Sequence, residues 1–146
     1  MIENIRSFVA GCPYLDQDTA VNVDYLVDKV IAYSVNEQAS YDPLIEEDVL
    51  GNEYCQFKFM LDAKLHWNDE VENNVSNSHF FDNFSNWLKI QNENGNYPQF
   101  GNNITVDSIK ATSNGYIFDT NSGEAIYRIE CIMYYTKTGL DIPYSR

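Results

Sequence analysis

The stretch "CQFKFMLDAKLHW", residues 55–67, alternates between two kinds of side chain without a slip. Cys55, Phe57, Phe59, Leu61, Ala63, Leu65 and Trp67 take the odd positions; Gln56, Lys58, Met60, Asp62, Lys64 and His66 take the even ones. A period of two sends these sets to opposite faces of a β-strand. The run is more than twice the usual strand length of about 5–6 residues, so it needs a large sheet to keep it paired. Its odd face is a core face. Its even face mixes charge with Met60 and, one step earlier, Tyr54. That face is either a solvated exterior, which Lys58, Asp62 and Lys64 suit, or a contact surface for another protein chain.

The flanking sequence supplies a sheet and its helical cover. Ile2, Ile5, Phe8 and Val9 recur at helical spacing, and Gly11 and Pro13 end that helix. "VNVDYL" (21–26) and "IAYSVN" (31–36) are strand-like, with Asp28 and Lys29 near the bend. "LIEEDVL" (44–50) leads through Gly51-Asn52 into the long strand, which is the pattern of a two-residue hairpin. Asn68 is placed to cap a short helix containing Val71 and Val75. A second helix starts near Ser78, with Phe80, Phe81, Phe84, Trp87, Leu88 and Gln91 in one stripe and Asp82, Asn83, Asn86, Lys89 and Glu93 facing water. Gly95 and Pro98 end it. Strands are expected at 104–111, 115–120 and 124–136, with turns at Asn114-Gly115 and Asn121-Ser122-Gly123. The expected fold is α+β: one domain over 1–146, a largely antiparallel sheet linked by hairpins, an N-terminal helix and a central helical segment on one face, and a loose tail over 137–146.

Charge excludes several classes of function. Nine basic residues among twenty-two acidic ones give a net charge of −13. Phosphate binding needs clustered Lys and Arg to release counterions, so specific nucleic-acid binding is not expected, nor is a polybasic membrane anchor. "MIENIRSFVAGC" reads as an amphipathic helix rather than a leader, and no run approaches a membrane span. Cys12, Cys55 and Cys131 lack C-x-x-C spacing and read as buried free thiols. Asn74, Asn83 and Asn103 each open an N-x-S/T triplet, a chance match in an Asn-rich chain.

Catalytic and ligand motifs are missing. There is no G-x-G-x-x-G or Walker loop for phosphates and no G-x-S-x-G elbow. The only histidines, His66 and His79, have neither H-x-x-x-H nor H-x-x-E spacing for a metal, and the pleat turns His66 away from Cys55. Glu46-Glu47-Asp48 reads as a charged strand edge. Asp16-x-Asp18 lacks the rest of a calcium loop. No enzyme activity, cofactor or metal is expected. Tyr at eleven positions, with Phe, Met and Trp on long strands, suits protein–protein contact instead. The residues expected at such an interface are Tyr54, Met60 and His66 on the even face, with Tyr134 on the last strand.

The opening "IRSFVAGCPYLD", then "VNVDYL" and "YSVN", resemble the start of a family of minor tail proteins of long-tailed phages and prophages of Gram-positive bacteria. "FFDNFSNWLKIQNENGNYPQFG" and "ATSNGYIFDTNSGEAIYRIECIMYY" fit the same family in the same order, over residues 2–137. Such proteins are similar in size to tail terminators. The resemblance implies a structural role: a homo-oligomeric ring, sixfold in symmetry, that ends tail-tube growth and meets the head-completion proteins. It also implies a place in the host cytoplasm during assembly and in the virion tail afterwards. Two other readings fit the residues. One is an acidic binding module, such as an immunity protein masking a basic toxin. The other is a small ligand-binding or enzymatic α+β domain with a deep pocket.

Overall fold

A computed structural model describes residues 1–27, 31–66, 71–101, 103–121 and 124–139, with the side chains of 66, 71–78, 121 and 124 outside that description. The long alternating run becomes β4 (Glu53–His66). It pairs antiparallel along its whole length with β7 (Glu124–Lys137), from Glu53↔Lys137 to His66↔Glu124. At about 3.3 Å per residue this ribbon is roughly 45 Å long. Two interrupted strands flank it. On the free edge of β4 lie β2 (Ala32–Glu37) and β3 (Leu44–Glu47), paired with the later and earlier parts of β4 respectively. On the free edge of β7 lie β5 (Ile104–Ala111) and β6 (Tyr116–Asn121). A short β1 (Val21–Val23) completes the seven strands by pairing with β2.

The two breaks are held by backbone and side-chain substitutes for the missing ladder. Between β2 and β3, Gln38 N donates to Lys58 O and Gln56 N to Pro43 O, both at 2.8 Å. Between β5 and β6, Thr112 N donates to Glu130 O at 2.7 Å, and Glu130 N donates to the Ser113 hydroxyl at 3.0 Å. So Asn114-Gly115 is not a hairpin turn as expected. β5 and β6 run in line along one edge of β7, and the chain steps aside between them. The reason is packing: a Cβ on Gly115 would overlap the ring of Phe81, which is buried. Gly115→Ala is therefore expected to cost about 1–3 kcal/mol by overpacking, measured as a lower urea midpoint with an unchanged slope.

The helices lie on one face. α1 (Ile2–Ala10) buries Ile5 and Val9 in the same core as Val21, Tyr33 and Val35. α2 (Val71–Asn94) buries Phe81, Phe84 and Leu88, with Phe80 and Trp87 partly buried against them, so the stripe faces as its period requires. Trp87 ties the helices together, its ring 5.0 Å from Phe8 and 5.9 Å from Phe84. The odd residues of β4 from Cys55 to Leu65 and of β7 from Ala125 to Tyr135 meet this layer. Gly95, with φ +69, closes α2 while Asn96 N returns to Gln91 O. The α+β class holds, and the sheet is largely antiparallel, with β1 and β2 its one parallel pair among the described strands.

Several expectations change. β1 and β2 are parallel, not a hairpin. β1 stops where Asp24 takes a left-handed φ of 66 and its N–H donates to Val35 O. Asp28 and Lys29 of the expected bend lie outside the described residues. The expected pair of helices is one continuous α2. No Gly or Pro interrupts residues 71–78, so nothing stops helix propagation once it has begun. Asn68, the expected cap, and Trp67 lie outside the described residues. β3 ends at Glu47, and the turn to β4 spans 48–52 instead of two residues, because the Asp48 side chain captures the donors that would continue the ladder. Residues 138 and 139 are not loose: Thr138 N donates to Asn103 O and Gly139 N to Asn52 Oδ1, both at 2.8 Å.

Candidate interface on the outer face of the sheet

With α1 and α2 on one face, no described helix covers the other. The even residues of β4 and β7 lie there, in rungs set by register. Tyr54 is beside Thr136, Gln56 beside Tyr134, Lys58 beside Ile132, Met60 beside Glu130 and Asp62 beside Arg128. Tyr54, Met60 and Tyr134, three of the four expected interface residues, thus share this face. Tyr54 is exposed, while Met60 and Tyr134 are half-buried. His66 pairs with Glu124 at the far end of the same strand, and its side chain lies outside the described residues.

The centre of the face holds a polar cluster that the sequence does not reveal. Arg128 donates from Nε to Asp62 Oδ1 at 2.7 Å and from a terminal nitrogen to Oδ2 at 2.9 Å. Asn36 Nδ2 donates to the same Oδ2 at 2.7 Å. The guanidinium lies 3.6 Å from the centroid of the Phe118 ring. Phe118 reaches it because a bulge between Ile117 and Asp119 leaves it without a partner on β7. Asp62 is 5 % exposed. A charge so buried survives only with its partners in place. The hydrogen bonds from Arg128 to Asp62 hold the guanidinium still more firmly in its charged form. Next to this cluster, the Tyr116 hydroxyl donates to Glu130 at 3.3 Å, and partial burial together with the Glu130 charge raises its pKa.

The edges of the sheet are treated unequally. The side-chain amide of Asn92 on α2 bonds both backbone groups of Ile109, accepting from its N–H at 2.8 Å and donating to its carbonyl. One asparagine thereby stands in for a strand and blocks part of the free edge of β5. Among the described residues, β3 has no such cover. All four of its residues are exposed, and the turn beyond it presents Val49 fully exposed and Leu50 at 78 %. Asp48 organises that turn. Its carboxylate accepts from the N–H groups of Leu50 and Asn52 at 2.9 Å, from the Asn52 amide at 3.1 Å and from the Tyr54 hydroxyl at 3.0 Å. Desolvation opposes ionisation, but the bonds from Asn52, Tyr54 and Leu50 together lower its pKa. The sign follows. The turn's contribution is complete above the unfolded Asp value of about 3.9 and is lost as pH falls through the lower folded value. The amide shifts of Leu50 and Asn52 should titrate together with a midpoint below that of an unfolded peptide, and Asp48→Asn should abolish the transition.

Burial pushes the Cys12 thiol up to about 11 and raises Cys131 and Cys55 as well, which keeps all three protonated and unreactive. His79 is exposed on α2. Asp16 accepts a bond from the Thr19 hydroxyl within its own turn. Among the described residues, no three His, Cys, Asp or Glu side chains are grouped to hold a metal, and no helix is long and apolar enough to cross a membrane. A groove of about 460 Å³ lies between α2 and the β5–β6 break, with Phe81, Ala111 and Ile129 in its lining and Asp82, Lys89, Asn86 and Asn114 among its polar groups; the Lys110 ammonium lies instead over the Tyr134 ring on the other face of the sheet. The chain matches no family model and no curated protein.

Proposed function

We propose that this chain is a structural protein of a phage tail, of the terminator or completion kind. Copies would assemble into a sixfold ring that ends tube growth and meets the head-completion proteins. The observation that carries the reading is a 14-residue ribbon of β4 and β7 with one face under helices and the other left to polar and aromatic side chains. That division suits a subunit that builds through its sheet. It is joined by the order of segments that resemble minor tail proteins. Assembly would take place in the host cytoplasm, and the ring would remain in the virion tail.

The net charge of −13 gives the test. Acidic subunits repel at low ionic strength, and salt screens that repulsion beyond about 10 Å at 0.1 M. Contacts between apolar side chains are not weakened in this way. Sedimentation velocity should show monomer in dilute, low-salt solution and a single closed species as salt and concentration rise. The protein should not retard DNA. A monomer at every salt and concentration that instead binds one basic partner tightly would favour the acidic binding module, the reading that the same charge supports.

A further inference from the structure

We infer that two copies of this chain pair face to face through the end of the outer sheet face that β3 and β5 flank, the acidic part of each patch lying over the basic part of the other. This goes beyond the ring reading, because a twofold contact closes on itself and cannot propagate round a ring. The patch is polarised along the strands. At one end Glu46, Asp48 and Asp107 surround Tyr54. Glu46 is its register partner on β3, Asp48 accepts from its hydroxyl at 3.0 Å, and Asp107 accepts from the hydroxyl of the neighbouring Thr136 at 2.7 Å. The bond to Asp48 and the charges of Asp48, Glu46 and Asp107 raise the Tyr54 pKa. Four residues further along β4, Lys58 and Lys110 flank Ile132 in one rung. The Lys110 ammonium lies 5.8 Å from the centroid of the Tyr134 ring. Neither lysine makes an ion pair among the described residues. The next charges along the face are engaged within the chain: Glu130 accepts from Tyr116, and Asp62 is closed on Arg128.

A patch with opposite charges at its two ends is self-complementary. A twofold axis lying across the strands at the Gln56–Tyr134 rung turns the second copy end for end. Asp107 then faces Lys110 of the other copy, since both stand on β5. Glu46 faces Lys58 of the other copy one strand over, an offset of about 4.8 Å that a lysine side chain spans. Sheets stacked face to face keep their strands within about 30° of each other, so charges about 13 Å apart along the strand stay matched. Tyr134 comes to the centre, where contacts favour tyrosine. An axis running along the strands would instead set like charge on like. A basic partner of another kind would suit Glu46, Asp48 and Asp107 but meet Lys58 and Lys110 with its own sign. The overlap covers about 400 Å² per copy at strand spacing, half the roughly 800 Å² of a standard interface. The pair is therefore transient. While it lasts it covers Tyr54 and Tyr134 and withholds that part of the face from any larger assembly.

The test combines sedimentation velocity with directed cross-linking. It is made at about 0.1 M salt, where a Debye length of about 10 Å damps the net repulsion more than it damps charges in contact. The parent should show monomer exchanging with dimer before any larger species. Lys58→Glu with Lys110→Glu should weaken the dimer by more than about tenfold, and so should Glu46→Lys with Asp107→Lys, because each sets like charge on like. Mixed in equal amounts, the two variants should pair with each other as well as the parent pairs with itself, a recovery that damage to the fold could not produce. Chains carrying Ser108→Cys, on the central rung, should be joined to one another by a short bismaleimide. Chains carrying Asp119→Cys, far along the same face, should not. The native thiols are buried and stay out of the reaction. Folded variants that stay apart when mixed overturn the pairing. Larger species that form from the parent with no cross-link through Ser108→Cys overturn it too and leave the ring reading standing. A dimer that forms as described and never grows supports the pairing and counts against the ring.

Discussion

Phe84→Ala is expected to destabilise the protein by about 3–5 kcal/mol, the range for a buried aromatic truncated to a methyl group. Phe84 is fully buried where α2 meets the sheet, in the same core as Phe57, Phe59 and Leu88. Its loss leaves a cavity that neighbours on a rigid sheet cannot fill. Trp87→Ala should cost less. Trp87 is only partly buried, and its ring spans Phe8 and Phe84 at the edge of the core rather than within it. Urea unfolding of both variants measures the difference. Equal losses would mean that α2 is rotated from the facing described above.

Asp62→Ala should be as damaging, at about 3–5 kcal/mol, by a different mechanism. It leaves the Arg128 guanidinium largely buried with its two carboxylate bonds gone and Phe118 stacked over it. Asn36 loses its acceptor as well. Replacing both charges together, Asp62→Leu with Arg128→Met, should recover most of the loss, because no unpaired charge then remains. A double-mutant cycle by chemical denaturation decides between a paired buried charge and two independent surface groups. Additive losses would contradict the pairing.

What the sequence disclosed follows from local periodicity. The stripe Phe80, Phe81, Phe84, Trp87 and Leu88 repeats at helical spacing against a polar opposite side, and the odd face of β4 alternates over its whole length. Both patterns are written in contiguous residues, so both were readable. The Asp62–Arg128 pair was not, because the partners are 66 residues apart and meet only through the register of β4 with β7. The outer position of Phe118 depends on a bulge that leaves no mark in "GYIFDT". The break at Gly115 looked like a turn because Asn-Gly favours one, yet here the glycine serves to admit Phe81. The parallel pairing of β1 leaves no mark in the sequence for a related reason. A period of two is the same for either strand direction. Alternation alone puts Tyr54 and Met60 on one face of β4, whereas Tyr134 joins them only through the register of β4 with β7, and the exposed turn at Val49 and Leu50 lies within a stretch, 44–50, whose sequence reads as continuous strand.

The central claim, that this chain ends tail-tube growth, is tested most directly by removing its gene from the parent phage or prophage and imaging the particles by electron microscopy. The account predicts tubes that outgrow their normal length and heads left unjoined, with both defects corrected when the chain is supplied in trans. Tails of normal length joined to heads in its absence would contradict it.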